Sequence, residues 1–180
     1  MIYQIKIALD GIRPPIWRRV QVPGEMTLAE LHDVIQTVMG WEDCHLHEFQ
    51  VAGSRYMPAA YDELDLPAAY DEEAVQLRDV VQREKARLRY TYDFGDDWRH
   101  TLTVEKIVAA DPNVAYPVCL TGKRACPPED CGGPWGYASL LEAREHPDDP
   151  RFAELLEWAG DLDPEAFDRH ALNAHLRHRH

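Results

Sequence analysis

Tyr90-Thr91-Tyr92-Asp93-Phe94-Gly95-Asp96-Asp97-Trp98-Arg99-His100 is the stretch that decides how this chain folds. Upstream, Leu88, Tyr90 and Tyr92 alternate with Arg87, Arg89, Thr91 and Asp93; downstream, Leu102 and Val104 alternate with Thr101, Thr103 and Glu105. Period-two alternation predicts two half-buried strands. The Gly95-Asp96-Asp97 link supplies the reversal, since Gly takes positive φ without steric cost and Asp stabilises turns through its own side chain. Continued backwards from Val104, the alternation puts His100, Trp98 and Asp96 on the apolar side of the second strand.

Working outward, Ile2–Leu9 and Ile16–Val22 read as strands, separated by Asp10-Gly11 and Pro14-Pro15. Thr27 and Glu30 form a capping box ahead of a helical stripe of Leu28, Leu31, Val34, Ile35, Val38 and Met39, and Gly40 ends it. Cys44–Val51 returns to period two with His45, His47, Phe49 and Val51 on one face. Residues 54–74 read as an irregular, acidic, proline-interrupted excursion, and Val75–Val81 as a short ordered piece. Tyr116–Leu120 reads as extended. The Gly/Pro-rich run from Cys119 to Gly136 forbids regular structure over much of its length. Tyr137–Glu145 and Arg151–Ala159 read as helices, and Asp163-Pro164-Glu165 as the start of a last one whose end, His175–His180, is basic as the helix dipole favours.

Strands, a helix, more strands and then three helices predict an α+β fold: a single domain over residues 1–180, with an antiparallel or mixed sheet, a β-grasp-like ββαβ start and C-terminal helices packed on the sheet. A 45% hydrophobic and 28% charged composition is that of an ordinary globular domain. With 32 acidic against 19 basic residues, the formal charge of -13 argues against strong non-specific nucleic-acid binding. There is no basic n-region with an apolar run and no 18-residue apolar span, so the expectation is a cytoplasmic protein that uses no membrane. The P-loop, the dinucleotide glycine fingerprint and the nucleophile elbow are missing, which argues against those nucleotide-binding and acyl-transfer classes.

Two sets of residues carry candidate chemistry. Cys119, Cys126 and Cys131, spaced by six and four residues in a Gly/Pro-rich loop, are candidate zinc ligands, with Cys44 or a histidine as the fourth. The bland alternative is three small, partly buried thiols packing a loop. His45, His47, Asp93, Asp96, Asp97 and His100, with Glu129 and Asp130 as additions, form a candidate polar cluster. If the two histidine-bearing strands are neighbours, imidazoles and carboxylates meet at one rim of the sheet, as first-shell chemistry for a divalent metal or a tuned general base requires. The bland alternative is core-edge histidines hydrogen-bonded to Asp93 or Asp96, with Asp97 capping a turn.

Trp17-Arg18 after Pro14-Pro15, Gly40-Trp41 with His45-Leu-His-Glu-Phe49, Tyr92–His100, Cys126-Pro-Pro-Glu-Asp-Cys-Gly-Gly133 with Gly136-Tyr137, and Asp163-Pro-Glu-Ala-Phe-Asp168 together resemble the plasmid pRiA4b ORF-3-like family. The resemblance implies one α+β domain of the MM3350-like fold, carried on chromosomes, plasmids and insertion elements, with a nominal resolvase label. Neither a serine recombinase's nucleophile among clustered arginines nor a tyrosine recombinase's basic surface is visible in the residues. The leading expectation is a non-catalytic interaction module associated with plasmids or mobile elements, with an unknown protein or peptide partner. A metal-dependent hydrolase using the His/Asp cluster, with zinc or another divalent ion, comes second. An accessory role in transposition or recombination comes third.

Overall fold

The two strands flanking the opening stretch form the centre of the sheet. In a computed structural model that describes residues 1–179, they run from Arg87 to Tyr92 and from Trp98 to Val108. The final residue of the basic tail, His180, lies outside the described residues. In chain order the strands are β1 (Ile2–Leu9), β2 (Trp17–Pro23), β3 (His47–Val51), β4 (Ser54–Met57), β5 (Tyr70–Asp71), β6 (Arg87–Tyr92), β7 (Trp98–Val108) and β8 (Val118–Lys123). The helices are α1 (Leu28–Met39), α2 (Leu77–Val80), α3 (Gly133–Glu145), α4 (Ala153–Ala159) and α5 (Arg169–Arg179). One sheet of eight strands has the order β5-β4-β3-β6-β7-β1-β2-β8. Every pairing is antiparallel except β4 with β5. The fold is α+β with a mixed sheet and a strand, strand, helix, strand opening, as expected; β6 and β7 lie between β1 and β3.

Alternation along each strand separates two faces. Ile5, Ile7, Val20, Phe49, Leu88, Tyr90, Leu102 and Val104 are buried, and with α1's Leu28, Leu31, Val34, Ile35 and Val38 they make one continuous core. The capping box on α1 is complete: the Thr27 side chain accepts from Glu30 N–H, and Glu30 Oε2 accepts from Thr27 N–H. Gly40 closes the helix at φ 94°.

The turn between β6 and β7 is built differently from the sequence expectation. Positive φ falls on Asp93 (56°) and Asp97 (57°) rather than on Gly95. Asp93 Oδ1 accepts from the N–H groups of Gly95 and Asp96, so an Asx turn replaces the flexibility of glycine.

Three other boundaries move. The excursion at 54–74 is ordered into β4, β5 and two 3₁₀ turns (Ala59–Glu63 and Glu72–Ala74). The α3 helix begins at Gly133, four residues before Tyr137, because Gly132 enters at φ 89° and Pro134 suits the first helical turn. The last helix starts at Arg169 rather than after Asp163: Asp163 caps only an isolated turn through Glu165 N–H, while Asp168 Oδ1 accepts from His170 and Ala171 N–H.

Candidate metal centre

The two histidine-bearing strands, β3 and β7, are not the neighbours that the rim expectation supposed; β6 lies between them, and a rim forms across the three consecutive strands. His47 faces Tyr92, which faces Trp98, across the three strands. Residues just outside this row, His45 before β3 and Asp93 after β6, therefore come together beyond the end of the ladder. A third segment, Cys126 to Gly132, closes over them. Trp41 Nε1 donates to Pro127 O at 3.0 Å, Glu42 N–H donates to Glu129 Oε1 at 2.9 Å, and Gly132 N–H donates to Asp96 Oδ2 at 3.1 Å. The close approach is possible only because side chains are missing. A Cβ on Gly133 would lie 2.5 Å from Asp96 O, and one on Gly136 would lie 1.8 Å from Cys131 O.

Four of the eight candidate residues converge. His45 Nε2 lies 3.0 Å from Asp130 Oδ1, 3.6 Å from Asp93 Oδ2 and 3.8 Å from Glu129 Oε2. Although Asp130 is within reach, its direction is wrong for a hydrogen bond, and the buried His45 Nε2 has no hydrogen-bond partner. Glu129 Oε2 is also buried and unpartnered, while its Oε1 is held by Tyr92 OH at 3.0 Å and by Glu42 N–H. Ligand atoms of His45, Asp93 and Asp130 all lie within 4.8 Å of one another, and those of Cys44, His45 and Glu129 form a second such group that shares His45. Burial raises the Tyr92 phenol, with the Cys44 contact and the Glu129 carboxylate adding to it, so Tyr92 stays protonated and donates to Glu129.

The other four do different work. Asp96 tethers Gly132 and so positions the loop that carries Glu129 and Asp130. Asp97 pairs with Arg99 at 2.7 Å on the surface. His100 is wholly buried, edge-on to Trp41 at 5.2 Å and with Nδ1 3.3 Å from Tyr90 O. Burial lowers its pKa to about 4, so it is a neutral core residue.

His47 belongs to a second cluster. Its ring stacks on His32 at 3.5 Å and 8°, its Nε2 meets both oxygens of buried Glu72 at 2.9 and 3.0 Å, and His32 Nε2 meets Asp43 at 2.9 Å. The donor atoms of His32, Asp43 and His47 are close enough for a metal. The ring geometry opposes one, since an ion must lie in the plane of each imidazole it binds and two parallel planes 3.5 Å apart share no such point. Burial, with His47 alongside, lowers His32 to about 4. His32, Asp43 and Glu72 escaped the sequence reading because only the fold brings an α1 residue and a 3₁₀ turn to β3.

The cysteine site is a correction. Among the described residues, Cys119, Cys126 and Cys131 form no group able to hold a metal. Cys119 Sγ turns to Thr121 O on its own strand, and Cys131 Sγ lies 4.0 Å from Gly133 O. Burial pushes the Cys119 and Cys126 thiols up and Cys131 to about 12. They pack the loop that carries Glu129.

A one-sided α+β sheet with imidazole and carboxylate donors gathered at its rim describes the class. Within that class, the chain belongs to the plasmid pRiA4b ORF-3-like protein family, whose model matches residues 1–171. It is 39% identical over 164 residues to "Uncharacterized protein y4hQ" of Sinorhizobium fredii (strain NBRC 101917 / NGR234), covering 90% of this chain and 82% of that protein. The crystal structure of the protein of unknown function MM3350 from Methanosarcina mazei Go1 has a similar fold. The TM-score is 0.83 at 38% identity, over 94% of this chain and 96% of that one. These relatives are described without an activity, and the plasmid connection lies in the family's name.

Proposed function

We propose that this protein binds one divalent metal ion through His45 Nε2, Asp93 Oδ2 and Asp130 Oδ1, beside the Glu129 carboxylate, and presents it to a ligand in the adjoining cleft. The observation that carries the reading is that ligand atoms of His45, Asp93 and Asp130 all lie within 4.8 Å of one another while the buried His45 Nε2 has no hydrogen-bond partner. Nearly all buried polar atoms find a partner, and a bound ion is one of the few explanations for one that does not. Tetrahedral ligands at ~2.1 Å from zinc stand roughly 3.4 Å apart, and the separations of 3.0 and 3.6 Å from His45 Nε2 to Asp130 and Asp93 straddle that figure.

Charge points the same way. Three carboxylates surround one imidazole, and among the described residues no Lys or Arg lies within ion-pair distance of any of the three. A dication would offset that repulsion. One imidazole nitrogen with carboxylate oxygens suits zinc, manganese or magnesium.

His45 also lines a neighbouring cleft of about 620 Å³, with Cys44, His47, Tyr61 and Glu72. An ion there would supply Lewis acidity and an activated water, making hydrolysis the reaction class this geometry supports. Among the described residues no helix is long and apolar enough to cross a membrane, and all four cysteines are free thiols. The thiols support a reducing, cytoplasmic location.

Titration calorimetry with zinc, manganese and magnesium, on protein purified without a histidine tag, tests the reading. Saturation at one equivalent is expected, with at least tenfold weaker binding in His45→Ala and in Asp130→Asn. Failure of all three ions to bind saturably would overturn it.

A further inference from the structure

The helices cover one face of the sheet and leave the other uncovered, and strand register shows how charge is laid out there. One row of directly paired residues crosses from β4 to β8 through Arg55, Gln50, Arg89, Thr101, Ala8 on β1, then Trp17 and Lys123. The neighbouring row, two residues along each strand, runs Arg87, Thr103, Lys6, Arg19 and Thr121. The two rows hold six cations and no carboxylate, in a chain with 32 acidic residues against 19 basic. Acids border the band and reach in at three places, Glu105 to Arg19 at 2.6 Å, Glu48 to Arg55 at 2.7 Å and Asp10 to Thr101 at 3.0 Å. Lys6, Arg87, Arg89 and Lys123 have no carboxylate within ion-pair distance among the described residues.

Aromatic surface stands at both ends of this band. Phe94 and Leu66 wall a cleft of about 430 Å³ whose other lining includes Arg55, Arg89 and Arg99 together with the carboxylates of Asp10, Glu48 and Asp97. At the far end Trp17 is half-buried, with Lys6 and Arg19 each 5.2 Å from its ring centre. Six interstrand gaps of ~4.8 Å give the band a length of roughly 29 Å, enough for the ~4 or more nucleotides that such platforms hold.

We propose that this uncovered face binds single-stranded nucleic acid, with phosphates on the two rows of cations and bases against Phe94 and Trp17. An acidic polypeptide would use the charges but leave both aromatic ends without a flat partner. The net charge of -13 describes the whole surface, and register segregates a basic band from it. The face lies opposite the helices and makes no use of the metal site, so the two proposals stand or fall separately.

Fluorescence anisotropy with a fluorescein-labelled 12-nucleotide single-stranded RNA, and the matching DNA, tests the proposal on the full chain. Saturable binding is expected in at least one of the two, unchanged by EDTA, with log K falling against log salt at a slope of about 2 to 3 for three or four phosphate contacts. Arg87→Ala combined with Arg89→Ala should weaken it at least tenfold with the circular dichroism spectrum unchanged; both side chains are exposed. Arg144→Ala, an exposed arginine on α3, should leave it unchanged. The proposal is overturned by absence of saturable binding to either strand at 50 mM salt, by equal loss in the Arg144 variant, or by a 12-residue polyglutamate displacing the RNA at equal charge concentration.

Discussion

The histidines show how little residue type says before position is known. His45, His47 and His100 look equivalent in the sequence, yet they occupy a candidate metal centre, a stacked imidazole pair and the apolar core. Depth in the sheet decides among them, since His45 lies beyond the rim, His47 in its last paired row and His100 one inward-facing position deeper. That His100 faces the core was legible from alternation. That it takes no part in a site was not, because alternation gives the face and says nothing of depth. Its burial makes a prediction about pH. The folded pKa of about 4 lies below the 6.5 of an exposed imidazole, so the unfolded chain binds more protons between those values. The stabilising contribution is therefore fully present above pH ~6.5 and is lost as pH falls toward 4, by about 2 kcal/mol between pH 7 and 5. Thermal melts across that range should show His100→Phe less acid-sensitive than the wild type. An identical slope for both would remove His100 from the account.

At the level of elements, the signals that survived are those set by neighbours in sequence. The capping box of Thr27 and Glu30 and the left-handed Gly40 delimit α1 where the pattern says they should. The glycine- and proline-rich run misled, because the same residues that break a helix also open one: Gly132, Gly133 and Pro134 are the start of α3. The three cysteines of that run suggested a metal by residue type alone, whereas their sulfurs turn to separate backbone carbonyls or the interior. What the run supplies is a tight path that delivers Glu129 and Asp130 to His45. Gly136→Ala tests this. Its Cβ would fall 1.8 Å from Cys131 O, so the backbone must move. The expected result is metal affinity reduced at least tenfold and a loss of stability of order 1–3 kcal/mol, as overpacking typically costs. Ser139→Ala, exposed on the same helix, should bind metal like the wild type.

The whole molecule is a sheet with two unlike sides. One side carries the core, the helices and, at its rim, an imidazole among carboxylates; the other carries a band of cations whose own rows hold no acid, though acids border it. Overall composition hides this division because it averages the two. Period-two alternation predicted that the faces would differ, but which residues stand side by side across strands is fixed by register, and register depends on pairings between segments up to a hundred residues apart. The rim inference supposed the two histidine-bearing strands, β3 and β7, to be neighbours; β6 lies between them and brings Asp93 beyond its own end to His45. The basic band needed six strand pairings.

The central claim is that segments before β3, after β6 and before α3 are held together to bind one cation. A crystal grown with zinc, measured on both sides of the zinc absorption edge, tests it most directly. The account predicts a single strong anomalous peak about 2 Å from His45 Nε2 and bonded to oxygens of Asp93 and Asp130. A map with no peak there, or with its only peak among Cys119, Cys126 and Cys131, would contradict it.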